Sequence, residues 1–283
     1  MDITVILALL GAAVLHASWH ALIKANNDQI IAIGGMNIAT TLVCGALLFF
    51  VESLSLFVMG IIAVSVMIHF GYKVALAHLY QNSELSLAYP LARGLCPVLA
   101  VIIAFFALGE TLGIIAVLGI VLVCAGVCFL VTDGLKKQVT ICILLVAAFA
   151  AATVALYSVI DAYGVRYTGS VLSFTVNLVF WDGLVFIVYA LCTTQGSALQ
   201  IWLKEWKNTA LTGALGLISF WVFIWSLSKA SVGGVSAIRE TSIIFSVLIG
   251  AFYFKERITL VRWIGVVAIS IGVVLIALGK FSH

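Results

Sequence analysis

The sequence has few charges, only two prolines and no long hydrophilic stretch. Charged residues make up 9% of its 283 positions, whereas an ordinary soluble domain has about 25%. Hydrophobic residues make up 64%, and the mean hydropathy is +1.28. Because so few charges cannot cover a water-soluble protein of this length, the composition excludes a soluble enzyme, a nucleic-acid-binding module and a disordered chain. Most of this protein must be solvated by lipid.

The apolar runs are long and continuous. A bilayer core about 30 Å thick requires roughly 20 apolar residues per helix. The runs do not alternate with polar residues, which excludes a transmembrane β barrel. The first run lacks a preceding basic region and is long for a signal peptide, so we expect a retained helix. We predict ten transmembrane helices at 3–24, 30–50, 57–80, 86–108, 111–131, 139–161, 170–192, 208–229, 232–254 and 259–279.

Loop charges predict an orientation. Of the Lys and Arg residues in loops and at helix ends, eight follow odd-numbered helices and three follow even-numbered ones. By the positive-inside rule, this count places both termini outside the cytoplasm. The longest loop, 193–207, carries Trp202 and Trp206 beside two lysines, a composition that predicts a short interfacial helix.

The signatures of metal and nucleotide chemistry are missing. The six cysteines form no CxxC pair, and buried apolar thiols are the simplest interpretation. No Walker sequence is present, so we expect no ATP hydrolysis by this chain. His16 and His20 are one helical turn apart, but they lack a third ligand at a clear spacing. We therefore expect no metal and no cofactor.

The chain repeats itself at an offset of 146 residues. This offset gives each half five helices, and an odd number forces the second half to insert upside down. We predict an all-α membrane protein of two inverted five-helix repeats, 1–134 and 135–283. Identical residues at this offset include Arg93 and Arg239, Glu110 and Glu256, Gly119 and Gly265, and Gly126 and Gly272.

Several charged residues fall inside the predicted helices. A charged side chain at mid-bilayer costs about 2.5–3.5 kcal/mol, so it must face a cavity or a partner. We predict that Arg93 and Arg239 line a central cavity and bind an anionic group. The alternative is an ion pair that locks helices together. Asp161, Asp182 and Glu240 are the candidates for proton coupling.

Polar and aromatic side chains at helical spacing extend the predicted binding site. His16 and His20 share one face of helix one, which favours hydrogen bonding or proton handling over packing. On helix three, His69 and Lys73 share a face with a tyrosine, and Pro90 should kink helix four. The other residues that we assign to substrate binding, with packing as the alternative role, are Trp19, Tyr72, Tyr89, Tyr157, Asn177 and Trp181.

Several segments together resemble the EamA-type transporters of the drug/metabolite transporter superfamily. The resemblance is carried by residues 16–24 (HASWHALIK), 85–94 (LSLAYPLARG) and 239–242 (RETS), and by Glu110 and Glu256 at helix starts. It covers essentially the whole chain. Position 20 is often Asn in similar proteins and is His here. The resemblance implies ten helices, transport of a small metabolite, cytoplasmic termini (against the loop count), and helices five and ten that brace each half or form a homodimer.

We therefore predict a secondary transporter in a bacterial plasma (inner) membrane. Its substrate would be a small polar or zwitterionic metabolite such as an amino acid, an amine or a phosphonate-like compound, since the intramembrane acids and bases nearly balance. The driving force would be proton coupling or exchange. We expect the lipid bilayer and the small molecule as partners and no nucleic acid. An intramembrane enzyme acting on lipid, or a channel or structural protein, is the alternative.

Overall fold

The computed structural model describes residues 1–109, 113–136 and 140–278. All regular secondary structure within these ranges is helical. Glu110 lies outside the described residues. The helices are α1 (Ile3–Lys24), α2 (Gln29–Leu47), α3 (Leu56–Asn82), α4 (Leu85–Gly94), α5 (Cys96–Leu108), α6 (Ile114–Lys136), α7 (Ile141–Thr168), α8 (Val171–Thr193), α9 (Ser197–Lys204), α10 (Trp206–Lys229), α11 (Val232–Arg239), α12 (Ser242–Phe252) and α13 (Leu260–Leu278), with a short 3-10 turn at Leu48–Phe50.

Nine helical segments in the described ranges are long and apolar enough to cross a membrane. They correspond to the first nine predicted spans. The tenth, within α13, has an apolar stretch from Leu260 to Ile276 that is shorter than the others. The prediction of an all-α, multi-helix membrane protein is confirmed.

Two spans are each built from two helices. Span four changes from α4 to α5 at Leu95, and span nine changes from α11 to α12 between Glu240 and Thr241. The break in span four follows Gly94 rather than Pro90, which lies inside α4. Since position 94 plus the offset of 146 is position 240, both breaks fall at corresponding positions of the proposed repeat.

Helices α6 and α13 pack antiparallel at the edge of the bundle. A Cβ atom on Gly119 would lie 2.6 Å from the Gly272 carbonyl oxygen, and one on Gly126 would lie 2.7 Å from that of Gly265. The absence of side chains at these four glycines therefore permits direct backbone contact. The predicted role as scaffold suits this placement, whereas a homodimer through these helices stays a prediction.

The other helix–helix contacts between the two halves occur in matching pairs. Helix α1, the first span of its half, packs on α10, the third span of the second half. The counterpart contact, between the third span of the first half (α3) and the first span of the second half (α7), is also present. Helix α12 packs on α1 as α5 packs on α7. This pattern supports the proposed inverted repeat.

Basic residues near the ends of spans make structural contacts. Arg262 is fully buried at the start of α13, where its Nε donates to Asp133 at 3.0 Å and its Nη1 donates to Glu84 at 2.9 Å.

The Glu256 carboxylate accepts the backbone N–H groups of Leu85 and of the residue after it, at 2.8 and 2.9 Å. Glu256 therefore caps α4, a helix of the other half, rather than the helix that follows it in sequence.

The predicted interfacial helix exists as α9, but its tryptophan points inward, and Trp206 begins α10 instead. Trp202 is 4% exposed and donates its indole N–H to the Ile31 carbonyl at 2.8 Å. Its ring lies against Gly34 and Gly35 of α2, where a Cβ would approach it to 2.6 and 3.0 Å. Trp206 is 60% exposed. Only Trp206 therefore suits the headgroup position that was expected of both.

Candidate functional site

A cavity of about 80 Å³ lies near the middle of the bundle. Helices α1, α2 and α3 of the first half and α7, α8, α10 and α11 of the second half supply its walls. Polar or charged side chains and apolar or aromatic ones contribute in similar numbers to the wall. The residues from the predicted site that line it are His16, Trp19, Tyr72, Tyr157, Asp182 and Arg239.

Arg239 supplies a positive charge to this cavity. It is 6% exposed, and its guanidinium carbon lies 4.0 Å from the centroid of the Phe223 ring. Its Nη1 donates to the Tyr157 hydroxyl at 3.5 Å. Among the residues that the structure describes, no carboxylate lies within 4.0 Å of this guanidinium. The cation–π contact and the long hydrogen bond leave most of its donors available.

Arg93 is in a different environment, although the repeat relates it to Arg239. Its Nε donates to Glu240 Oε2 at 3.1 Å, and its Nη2 donates to Oε1 of the same carboxylate. Arg93 is 1% exposed and Glu240 is 2% exposed. The forked pair joins the break in span four to the break in span nine, which is the interhelical lock given above as the alternative role for Arg93.

One substitution between the halves accounts for this difference. Glu240 corresponds to Gly94 at the offset of 146, so the first half has no carboxylate at the matching break. The second half therefore supplies a counterion for Arg93, whereas the described part of the first half places no carboxylate within 4.0 Å of Arg239. Arg239 thus presents its positive charge to the cavity.

Lys73 and Asp182 form a second ion pair, on the cavity wall. Lys73 Nζ lies 2.6 Å from Asp182 Oδ2 and donates to Asn37 Oδ1 at 2.5 Å. The other carboxylate oxygen, Asp182 Oδ1, is buried without a hydrogen-bond partner, as is the Tyr72 hydroxyl. Both groups line the cavity. A polar ligand would satisfy both of them.

Asp161 lies behind the cavity wall rather than on it. It is fully buried, and its two oxygens lie 2.5 Å from the Ser65 hydroxyl and 3.2 Å from His69 Nε2. His69 lines the cavity and stacks on the Tyr157 ring, with the centroids 3.8 Å apart. Asp161 therefore connects to the cavity only through His69.

His16, Trp19 and His20 form one cluster on α1. The Trp19 indole N–H donates to His16 Nδ1 at 3.1 Å, and the Nε2 atoms of the two histidines are 3.2 Å apart. His20 Nδ1 lies 2.7 Å from the hydroxyl of Tyr80 on α3. His16 and Trp19 reach the cavity, whereas His20 is fully buried behind them.

Three other predicted residues lie away from the cavity. Tyr89 is buried, and its hydroxyl is 2.6 Å from that of Ser242 across the two span breaks. Asn177 donates its amide to the Ser173 carbonyl at 2.9 Å within α8. Trp181 is 41% exposed on the outer surface of the bundle. The structure therefore does not bring these three together with the other site residues.

Sequence reasoning overlooked Asn37 and Phe220, which both line the cavity. Asn37 is a single amide within the apolar run of α2, and it is 2% exposed. An unpaired amide in a transmembrane helix is costly enough to have identified it. Phe220 gave no comparable signal because phenylalanine is common throughout this sequence.

The arrangement suits binding of a polar molecule rather than metal chemistry. Within residues 1–109, 113–136 and 140–278, no group of three or more His, Cys, Asp or Glu side chains is placed to hold a metal ion. The cavity instead offers a guanidinium, a half-satisfied carboxylate, a phenol hydroxyl and aromatic faces. These groups bind organic ions and zwitterions.

Comparison with known proteins agrees with this architecture. Residues 140–278 match the model of the EamA-like transporter family. The chain is also similar to a protein of known crystal structure, with a TM-score of 0.67 and 16% identity over 97% of this chain and 96% of that one. At that identity the likeness shows the fold alone. No curated protein sequence matches the chain.

The fold and these matches define a multi-pass membrane protein of the transporter class. This match makes residues 140–278 similar to the EamA-like transporter family. The resemblance stated from the sequence is therefore confirmed. Members of this family are transporters rather than enzymes.

Proposed function

We propose that this protein is a secondary transporter for a small polar or zwitterionic metabolite with an anionic group. The substrate binds in the cavity between the two halves, and the protein resides in a bacterial plasma membrane. The observation that carries the proposal is the placement of Arg239. A guanidinium without a counterion, buried near the middle of a membrane bundle and facing a cavity, is costly unless a ligand uses it.

The polar groups around the cavity favour a ligand with two charged or polar ends. Arg239 would bind a carboxylate or a phosphonate through its fork of donors. Asp182 Oδ1 and the Tyr72 hydroxyl lack partners and would receive an amino group or another donor. Trp19 and Tyr157 supply aromatic walls. Amino acids, amines with an acidic group and aminophosphonates meet these requirements.

The packing of the two halves supports alternating access as the mechanism. Contacts between helices of the two halves recur with the roles of the halves exchanged. Two pseudo-equivalent arrangements of the bundle can therefore be built from the same packing. The glycine-mediated contact between α6 and α13 provides a scaffold at the edge of the bundle. Arg93 and Arg239 lie beside the breaks of spans four and nine, which would serve as hinges in this mechanism.

The driving force is a proton or an exchanged metabolite. The acidic candidates for coupling differ in their surroundings. Glu240 is held by Arg93, Asp161 contacts His69, and Asp182 has one free oxygen on the cavity wall. Asp182 is therefore the acid that a substrate would contact directly.

Counterflow in proteoliposomes tests the proposed function. Vesicles loaded with an unlabelled compound, chosen by a thermal-shift screen of amino acids, amines and phosphonates, should transiently accumulate the labelled form. The Arg239→Gln variant should lose this accumulation, and Arg257→Gln should keep it, because Arg257 is exposed in a loop and carries the same charge. A channel would equilibrate the label without accumulation, and an enzyme would alter the label chemically. Either result would refute the proposal.

A further inference from the structure

A row of hydrogen-bonded side chains leads from the cavity along α1. Trp19 donates to His16 Nδ1, His16 Nε2 faces His20 Nε2 at 3.2 Å, and His20 Nδ1 faces the Tyr80 hydroxyl at 2.7 Å. His16 and Trp19 line the cavity. Tyr80 is fully buried, two residues before the end of α3, near the membrane face where α1 also ends. We refer to His16, His20 and Tyr80 as the α1 relay.

The chemistry of the donors fixes the direction of the relay. An indole N–H can only donate, so His16 Nδ1 must be an unprotonated acceptor. A neutral imidazole has one N–H, and in His16 that N–H is therefore on Nε2, which donates to His20 Nε2. By the same reasoning, His20 carries its hydrogen on Nδ1 and donates to Tyr80. Every donor in the relay points away from the cavity.

The burial of the relay favours proton passage over proton storage. His16 is 3% exposed and His20 is fully buried, and a buried charge without a partner is costly, so neither imidazole would keep a positive charge. Tyr89 is the other titratable side chain that faces the pair, with its ring 4.8 Å from that of His20. At the far end, Lys24 Nζ donates to the Tyr80 carbonyl. A neutral relay can still conduct, because each group takes a proton at one atom and releases one from another.

We propose that the α1 relay carries protons between the cavity and the membrane face at which α1 ends, with Trp19 closing its cavity end. This inference rests on the proposed transport function. A polar substrate beside Trp19 offers its indole N–H another acceptor, which exposes His16 Nδ1. Trp19 would thereby couple occupancy of the cavity to proton entry.

The proton balance is one in and one out. A proton from the cavity binds His16 Nδ1, and the Nε2 proton of that ring passes to His20 Nε2. The Nδ1 proton of His20 passes to the Tyr80 oxygen. Because Tyr80 is fully buried in this arrangement, its original hydroxyl proton leaves to water only when the ends of α1 and α3 open at that membrane face. Rotation of the rings and of the hydroxyl then restores the starting order.

Nitrogen NMR of histidine-labelled protein in lipid tests the order of the relay. The expected spectrum has His16 protonated at Nε2 alone and His20 protonated at Nδ1 alone. The Trp19→Phe variant should show both tautomers of His16, because the donor that selects one is gone. Detection of His16 in the Nδ1-protonated form in the wild type would overturn the proposal.

Proton flux in proteoliposomes tests conduction. A pH-sensitive dye inside the vesicles reports proton movement when a mixture of amino acids, alkylamines and aminoethylphosphonate is added outside. Tyr80→Phe should lower the initial proton flux at least about tenfold while counterflow of the same compounds continues, since proton transfer by a positioned group is typically worth that much or more. Trp19→Phe should leak protons before any compound is added.

Tyr163→Phe is the matched control, because Tyr163 is 44% exposed and lies outside the cavity and the relay. It should leave both proton flux and counterflow unchanged. The relay is refuted if Tyr80→Phe keeps its proton flux, if it loses flux and counterflow together, or if the wild type shows counterflow without any proton movement. Absence of counterflow in the wild type would instead refute the proposed function as well.

Discussion

The Arg93–Glu240 pair offers a sharp test of how the two span breaks are held together. Glu240→Gln keeps the shape of the side chain but removes the charge opposite a guanidinium that is 1% exposed. Removing one partner of a buried ion pair costs about 3–5 kcal/mol, because the other charge stays buried without compensation. At about 1.4 kcal/mol per factor of ten, the folding equilibrium should fall by roughly two to three and a half orders of magnitude.

Equilibrium unfolding in mixed micelles, followed by tryptophan fluorescence, measures this loss. Glu52→Gln is the control, since Glu52 is exposed and undergoes the same chemical change. Replacing both partners, with Arg93→Met and Glu240→Leu, should recover most of the lost stability, because a well-packed apolar pair can replace a buried ion pair. A Glu240→Gln variant within about 1 kcal/mol of the wild type would refute the proposed lock.

Three further predictions concern packing, capping and the cavity wall. Gly126→Ala should destabilise the bundle in the same unfolding assay, since its Cβ would lie 2.7 Å from a backbone oxygen. The control Gly11→Ala has open space and should be neutral or stabilising. Equal effects of the two substitutions would contradict the close contact. Glu256→Gln should cost about 1–3 kcal/mol through weakened capping of α4, and wild-type stability would count against that cap. Asp182→Asn should reduce counterflow more than stability, because its pair with Lys73 borders the cavity; the reverse order would make the pair structural.

The sequence allowed the architecture to be predicted because membrane insertion depends on local properties. Run length and hydropathy located the first nine spans, and the offset of 146 identified Arg93 and Arg239 as related positions. Each of these signals can be read within about 20 residues or by comparing the chain with itself. The four glycines of the α6–α13 contact were recognised only as residues repeated at that offset, and the antiparallel contact between them came from the structure.

The partners of polar groups could not be predicted because they depend on contacts between distant segments. Glu240 is adjacent to Arg239 in sequence but pairs with Arg93, 147 positions away. Glu256 precedes α13 but caps α4, and Trp202 inserts toward α2 instead of facing lipid headgroups. In each case the local sequence supplies a group that needs a partner, and only the packed bundle selects which partner it contacts.

Binding of the anionic ligand to Arg239 is the most direct test of the account. Isothermal titration of the protein in lipid nanodiscs, with the compound selected by the thermal-shift screen, measures the affinity of the wild type and of Arg239→Gln. We expect at least about tenfold weaker binding in the variant, because a charge-assisted hydrogen bond is worth about 1.5–3 kcal/mol. Equal affinities would contradict the assignment of the cavity between the two halves as the substrate site.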